Sequence, residues 1–269
     1  MGVSGCVVLV REPKYRRSVS SNQVRLLYIL FKFRFGTSDL IAESVKKDRS
    51  TVYESLRTLE KQGYIHKFHD SSYRLRGRPA VYTLAAKGIK YLRDTSKIDP
   101  TTLRNFYKNK RIAIENELLV DQCLLVFRIF NVLKAQTGQT FSIYTKYELN
   151  KADFISPPPG LWLQRQGKSQ KPDYILDIFP AGTMTWLLRK RLREHQEFEE
   201  EYEYLYPNVL LVAGNPNTEK RIFKQIESAI QDFEFYITRQ DMLLSGDKNI
   251  WVDVAETYDY DELQRIALR

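Results

Sequence analysis

The sequence predicts an α+β protein of two unlike parts: an N-terminal three-helix unit closed by a basic hairpin, then an α/β domain with a mixed sheet. Three observations carry that prediction. Apolar residues recur at helical spacing in three short segments between residues 18 and 63, each ended by a polar turn or a glycine. Two strand-like runs follow, separated by a turn rich in Arg, Gly and Pro. Beyond residue 112 strand-like and helical segments alternate. With 269 residues, 43% of them apolar, the chain can bury a core, which excludes a disordered protein.

The first helix is expected from the N-cap candidates Ser18, Ser20 and Ser21, with Val24, Leu27, Leu30 and Phe31 on one face and Gly36 as its stop. Thr37 or Ser38 caps a second, carrying Leu40, Ile41 and Val45, and the turn Lys46-Lys47-Asp48-Arg49 leads to a third. That third helix begins near Ser50 or Thr51, with Thr51 and Glu54 as a capping box, and runs to Gln62 before Gly63. Strands Tyr64 to Phe68 and Ala80 to Leu84 flank a turn holding Arg74, Arg76, Gly77, Arg78 and Pro79. A fourth helix, Ala85 to Arg93, closes the unit.

Three helices and a hairpin wing make a winged helix. The stretches DRSTVYESLRTLEKQGYI and RGRPAVYTLAAKGIKYL resemble winged helix-turn-helix DNA-binding domains over about a quarter of the chain. The expected domains are 18–96 for this unit, 97–111 for a basic linker or helix, and 112–269 for the α/β domain.

Charge divides the chain at the same place. Through Arg111 there are 24 Lys and Arg against 9 Asp and Glu, and from Ile112 onward 18 against 24. The basic part therefore points to a polyanion such as double-stranded DNA. On the third helix Val52, Leu56 and Leu59 face inward, which leaves Ser50, Glu54, Arg57 and Lys61 outward, flanked by Thr51, Tyr53 and Thr58. Arg can donate two bonds to guanine and Glu can accept from cytosine, so this face suits base reading in the major groove. Lys46, Lys47 and Arg49 precede it where phosphates are neutralised, and Arg74, Arg76 and Arg78 of the wing have no acid nearer in sequence than Asp70. The alternative is an ordinary solvated face with Glu54, Arg57 and Lys61 paired among themselves.

In the second part a long helix is expected to about Gln136. Then come strand Phe141 to Tyr147, a loop at Pro157-Pro158-Pro159-Gly160, and strands Tyr174 to Phe179 and Met184 to Leu188. Helix Leu192 to Leu205, strand Val209 to Ala213, helix Thr218 to Gln231, and strands Glu234 to Ile237 and Ile250 to Val254 complete it. The order resembles the restriction-endonuclease-like PD-(D/E)xK core, with Pro172-Asp173 ahead of a strand. Leu188 then stands where active members place a second metal-binding acid, and Asp177 lies too far along the same strand to share an ion with Asp173. Winged helix and degenerate core together resemble the replication-relaxation family of plasmid and mobile-element proteins, which implies DNA binding in replication, conjugative transfer or transcriptional regulation.

No catalytic residue, metal site or cofactor is expected. Cys6 and Cys123 have no partner at metal-ligand spacing, His66 and His69 read as wing-strand surface, and His195 completes no triad. Arg189 to Arg193 with the following glutamates reads as a solvated helix with pairs such as Arg193 with Glu197. The longest apolar stretch, Leu118 to Leu133, is broken by Asp121, Gln122 and Arg128, so no membrane span is expected. The N-terminus departs from the myristoylation pattern at Cys6, and Cys6 to Val10 is too short for a signal core. The expectation is a cytoplasmic, sequence-specific DNA binder, with a homodimer partner or a replication or transfer protein as further partners. A metal-dependent nuclease around Asp173 and a protein-binding scaffold are the alternatives.

Overall fold

The computed structural model describes residues 19–69, 71–96, 98–148, 160–167, 173–202, 207–227, 234–257, 259–260 and 263–268. The Ser18 cap, Cys6, the Pro157 to Pro159 loop and Pro172 lie outside them. Helix α1 (Ser21–Phe33) starts at Ser20, whose hydroxyl accepts from the Gln23 amide while the Gln23 side chain accepts from the Ser20 amide. It ends at Arg34 in a positive-φ conformation, not at Gly36, which enters the two-residue strand β1 (Gly36–Thr37). Thr37 caps α2 (Ser38–Val45), and Lys46 ends it in the left-handed region. Helix α3 spans Arg49–Lys61, and Gly63 turns the chain at φ +76°, a value glycine adopts without strain.

Strands β2 (Ile65–Phe68) and β3 (Val81–Leu84) pair antiparallel with Ile65 opposite Leu84, and β1 adds to the far edge of β3. The wing between them holds a short helix, α4 (Ser71–Leu75). Helix α5 (Ala86–Thr95) crosses so close to β2 that a Cβ at Gly88 would lie 2.2 Å from the Tyr64 carbonyl oxygen. The segment expected as a linker is folded from Asp99 on. Asp99 caps α6 (Pro100–Arg104), a 3-10 turn covers Asn105–Lys108, and α7 (Asn109–Glu115) follows, with Leu103, Phe106 and Asn109 buried. The long helix is accordingly broken. It begins as α8 (Glu117–Thr137), because Asn116 leaves helical geometry and its side chain accepts from the Leu119 amide.

The large sheet runs β4 (Phe141–Thr145), β5 (Leu161–Arg165), β6 (Tyr174–Phe179), β7 (Asn208–Ala213), β8 (Phe235–Arg239), β9 (Val252–Asp253) in spatial order. The first three are antiparallel, β6 to β8 are parallel, and β9 is antiparallel again. Parallel neighbours need crossovers, which are α9 (Thr185–Tyr202) and α10 (Pro216–Glu227); a short α11 (Gln240–Ser245) follows β8. Here the structure overturns one expectation. Met184 to Leu188 is no strand: from Thr185 on it is the first turn of α9, since the return from β6 to β7 takes a helix. Leu188 and Leu192, four apart, pack on the sheet, and the sequence MTWLL hides that spacing behind strand-favouring side chains.

The two parts share one core. Phe33 of α1 stacks on Phe127 of α8 with ring centroids 3.8 Å apart. The same apolar cluster runs from Leu27 and Leu56 through Phe127 to Leu163, Leu176 and Trp251. The opposite face of the sheet, with Ile175, Val209 and Leu211, is covered by Leu188 of α9 and Phe223 of α10. This two-sided covering explains why β7 reads as a continuous apolar run.

Candidate nucleic-acid interface

Helix α3 is fixed from below by its apolar side. Val52, Leu56 and Leu59 are all buried, and removal of their surface from water anchors the helix. Its cap is Asp48 and not the expected Thr51 and Glu54 box. The Asp48 carboxylate accepts from the Ser50 amide at 2.8 Å, from the Thr51 amide at 3.4 Å and from the Ser50 hydroxyl. The Ser50 hydroxyl and these amides hold its carboxyl below the usual range. The cap is earlier than expected, because Asp is a stronger cap than Thr and its amide donors sit two and three residues on.

Everything outward on α3 is exposed or half-buried: Arg49, Ser50, Thr51, Tyr53, Glu54, Arg57, Thr58 and Lys61, with Lys46 and Lys47 in the turn before it. Glu54 and Arg57 approach only to 3.6 Å and both remain more than half exposed, so the pair is loose and either group is open to a new partner. Arg49 lies 2.5 Å from Asp39 of α2. Thr58 donates its hydroxyl back to the Glu54 carbonyl at 2.9 Å, which leaves its oxygen able to accept. Tyr53 faces the sheet side, where the Lys67 ammonium of β2 lies 5.6 Å from its ring centroid. Among the described residues neither Lys46 nor Lys61 forms an ion pair.

The wing differs from expectation. The sequence offers Arg76 and Arg78 no local acid, yet both reach the start of α8. Arg76 bonds both Glu117 oxygens at 2.9 Å, and Arg78 contacts Glu117 and Asp121. Their partners lie 41 and 43 residues away in sequence, beyond any local pattern. Arg78 also stacks over the buried Tyr73 ring, at 5.4 Å from its centroid. Arg74 is exposed and has no ion pair among the described residues.

Sequence reasoning did not single out the part of α1 that borders this face. Asn22 and Arg25 line a shallow notch with Lys47, Thr51 and Ser55, and Lys47 donates to the Asn22 side chain at 2.8 Å. The signal was available, since Asn22 and Arg25 lie three apart on the outer side of α1.

In the second part, Asp173 stands at the start of β6 beside the end of β5. Its carboxylate accepts from the Arg165 amide at 2.6 Å, and the Arg165 guanidinium lies 3.8 Å away. Asp177 is buried and bound by the Arg191 guanidinium at 2.6 Å and His195 at 2.8 Å, both from α9. Burial alone would raise its carboxyl, but His195 and Arg191 outweigh burial and hold it well below the usual range. The stretch read as solvated therefore turns one arginine inward, and Arg191 and Lys190 both pair with Glu194. Among the described residues no three His, Cys, Asp or Glu side chains gather as metal ligands. No described helix is long and apolar enough to cross a membrane.

A family model described as "Sugar-specific transcriptional regulator TrmB" matches residues 19–86, which is the span from the start of α1 to the start of α5. The N-terminal unit is a winged-helix domain. Solved structures similar to parts of the chain include a cysteine-to-serine mutant of ZitR from Lactococcus lactis, 16% identical over 48% of this chain and 82% of that one, with a TM-score of 0.26. The transcriptional regulator SlyA is 23% identical over 39% of this chain and 68% of that one, with a TM-score of 0.23. No curated protein matches the chain.

Proposed function

We propose that the chain is a sequence-specific double-stranded DNA-binding regulator in which α3 enters the major groove. The observation that carries this reading is the division of α3: an apolar side fully buried against the domain, and an opposite side on which Ser50, Glu54, Arg57 and Lys61 stay exposed and weakly paired. In this reading Glu54 and Arg57 contact base edges, while Ser50, Thr51, Tyr53, Thr58 and Lys61 hold phosphates or edges at their sides. Lys46, Lys47 and Arg49 neutralise phosphates before the helix, and Asn22 and Arg25 extend that contact onto α1. Arg74, Arg76 and Arg78 reach the neighbouring backbone once the latter two leave α8. The protein acts as a homodimer on a two-fold site, in the cytoplasm, without cofactor or catalysis.

Selection of bound fragments from random duplex DNA, followed by titration of the winner at several salt concentrations, tests this. A single enriched motif and a linear fall of log K with log salt, about −0.9 per phosphate contact, are expected. The finer setting, a plasmid or mobile element with a replication or transfer protein as partner, rests on the resemblance to the replication-relaxation family alone.

A further inference from the structure

Between α1, the first half of α8 and the β4 to β6 edge of the large sheet lies a cavity of about 340 Å³, within the range of roughly 300–1,000 Å³ usual for small-molecule sites. Its walls are mainly apolar: Phe33 of α1, Leu119, Leu125 and Val126 of α8, and Ile178 and Pro180 at the end of β6. Two of its charged lining groups are already matched. The Lys32 ammonium donates to the Ile143 carbonyl at 2.7 Å and pairs with Glu148 at 2.9 Å, and Asp177 is bound by Arg191 and His195.

A positive surplus remains at one end. Lys146 lines the cavity with its ammonium 5.3 Å from the Tyr147 ring centroid, and among the described residues it has no carboxylate partner. Arg34 stands outside the lining, behind Tyr147, where it donates to the Asn109 side chain at 2.6 Å. The Cys123 thiol lies on the same cavity wall, where burial raises it and Lys146 and Arg34 partly offset burial.

We propose that this cavity is a ligand site for a small monoanion with an apolar body, such as a medium-chain carboxylate, with its carboxylate at Lys146 and its chain against Phe33, Val126 and Ile178. A neutral polyol fits poorly, because the apolar walls would leave most of its hydroxyls without hydrogen-bond partners. A simple inorganic anion gains nothing from those walls. The site stands independently of whether α3 reads DNA, since its ligand is detected directly.

The test uses the full chain and 8-anilinonaphthalene-1-sulfonate, an apolar anion that fluoresces on leaving water. Titration is expected to show one saturable site, from which octanoate displaces the probe at concentrations about tenfold lower than octanol, which corresponds to a single well-placed ion contact. Val126→Trp, which fills the cavity, is expected to abolish displacement. Lys146→Glu alters an exposed side chain, so it keeps the fold checkable by circular dichroism, and it is expected to remove the preference for octanoate. Octanoate that displaces no probe, equal displacement by octanoate and octanol, equal displacement by glucose, or an unchanged octanoate preference in Lys146→Glu would each overturn the proposal.

Discussion

Arg76 at the wing tip bonds both carboxylate oxygens of Glu117, the first residue of α8, at 2.9 Å each. With Arg78 bound to Glu117 and Asp121, two of the wing's three arginines are neutralised by the second part of the chain, and Arg74 alone has no ion pair among the described residues. The Arg76 pair is exposed, so it is worth only about 0.2–1 kcal/mol and yields readily to a polyanion.

Acid removal should therefore strengthen DNA binding. Glu117→Gln with Asp121→Asn is expected to raise duplex affinity several-fold at low salt and to steepen the salt dependence by one to two phosphate contacts. Anisotropy titrations at three salt concentrations measure both. Unchanged affinity would mean that Arg76 and Arg78 do not contact phosphates even when released from α8.

The converse substitution acts on all sequences alike. Arg74, Arg76 and Arg78 replaced together by Ala should flatten the log K against log salt slope and weaken preferred and random duplexes by the same factor. A loss confined to the preferred site would instead assign the wing to base reading.

Much of the winged helix was legible because its information is local. The spacing of Val52, Leu56 and Leu59 fixes the buried side of α3, and the paired strands β2 and β3 lie within one residue of expectation. The candidate reading face follows from that spacing. The wing's ion pairs were not legible, because Arg76 and Glu117 meet only after the chain folds back. The same holds for Asp177 and Arg191, which join a strand to a crossover helix. Strand β5 escapes a sequence reading as LWLQR beside a proline run, and α9 is misplaced at its start because Thr185 and Trp186 carry strand preference into a helical turn.

The Asp177 cluster sets a stability prediction. Asp177→Asn leaves the buried Arg191 with Glu194 as its remaining counter-charge and should cost up to about 3–5 kcal/mol near neutral pH. Because the folded carboxyl lies below its unfolded value of about 3.9, its stabilisation is complete above that value and is lost as pH falls through the folded one. Urea unfolding should thus separate wild type from Asp177→Asn widely at pH 7 and far less at pH 2. Equal separation at both would remove the carboxylate charge from the account.

Asp173 bears on chemistry. It ties the start of β6 to the end of β5 through the Arg165 amide, so Asp173→Asn should leave duplex affinity unchanged. Neither it nor the wild type should nick plasmid with magnesium or manganese. Metal-dependent nicking that disappears in Asp173→Asn would revive the nuclease alternative.

If the exposed side of α3 reads bases, Arg57→Ala separates base contact from phosphate contact. On the selected duplex the substitution should cost about 1–3 kcal/mol, roughly 5- to 150-fold in Kd, while affinity for random duplex stays within about twofold. The same loss on both duplexes, with the fold intact, would make Arg57 a phosphate contact and contradict the assignment of α3 as the reading helix.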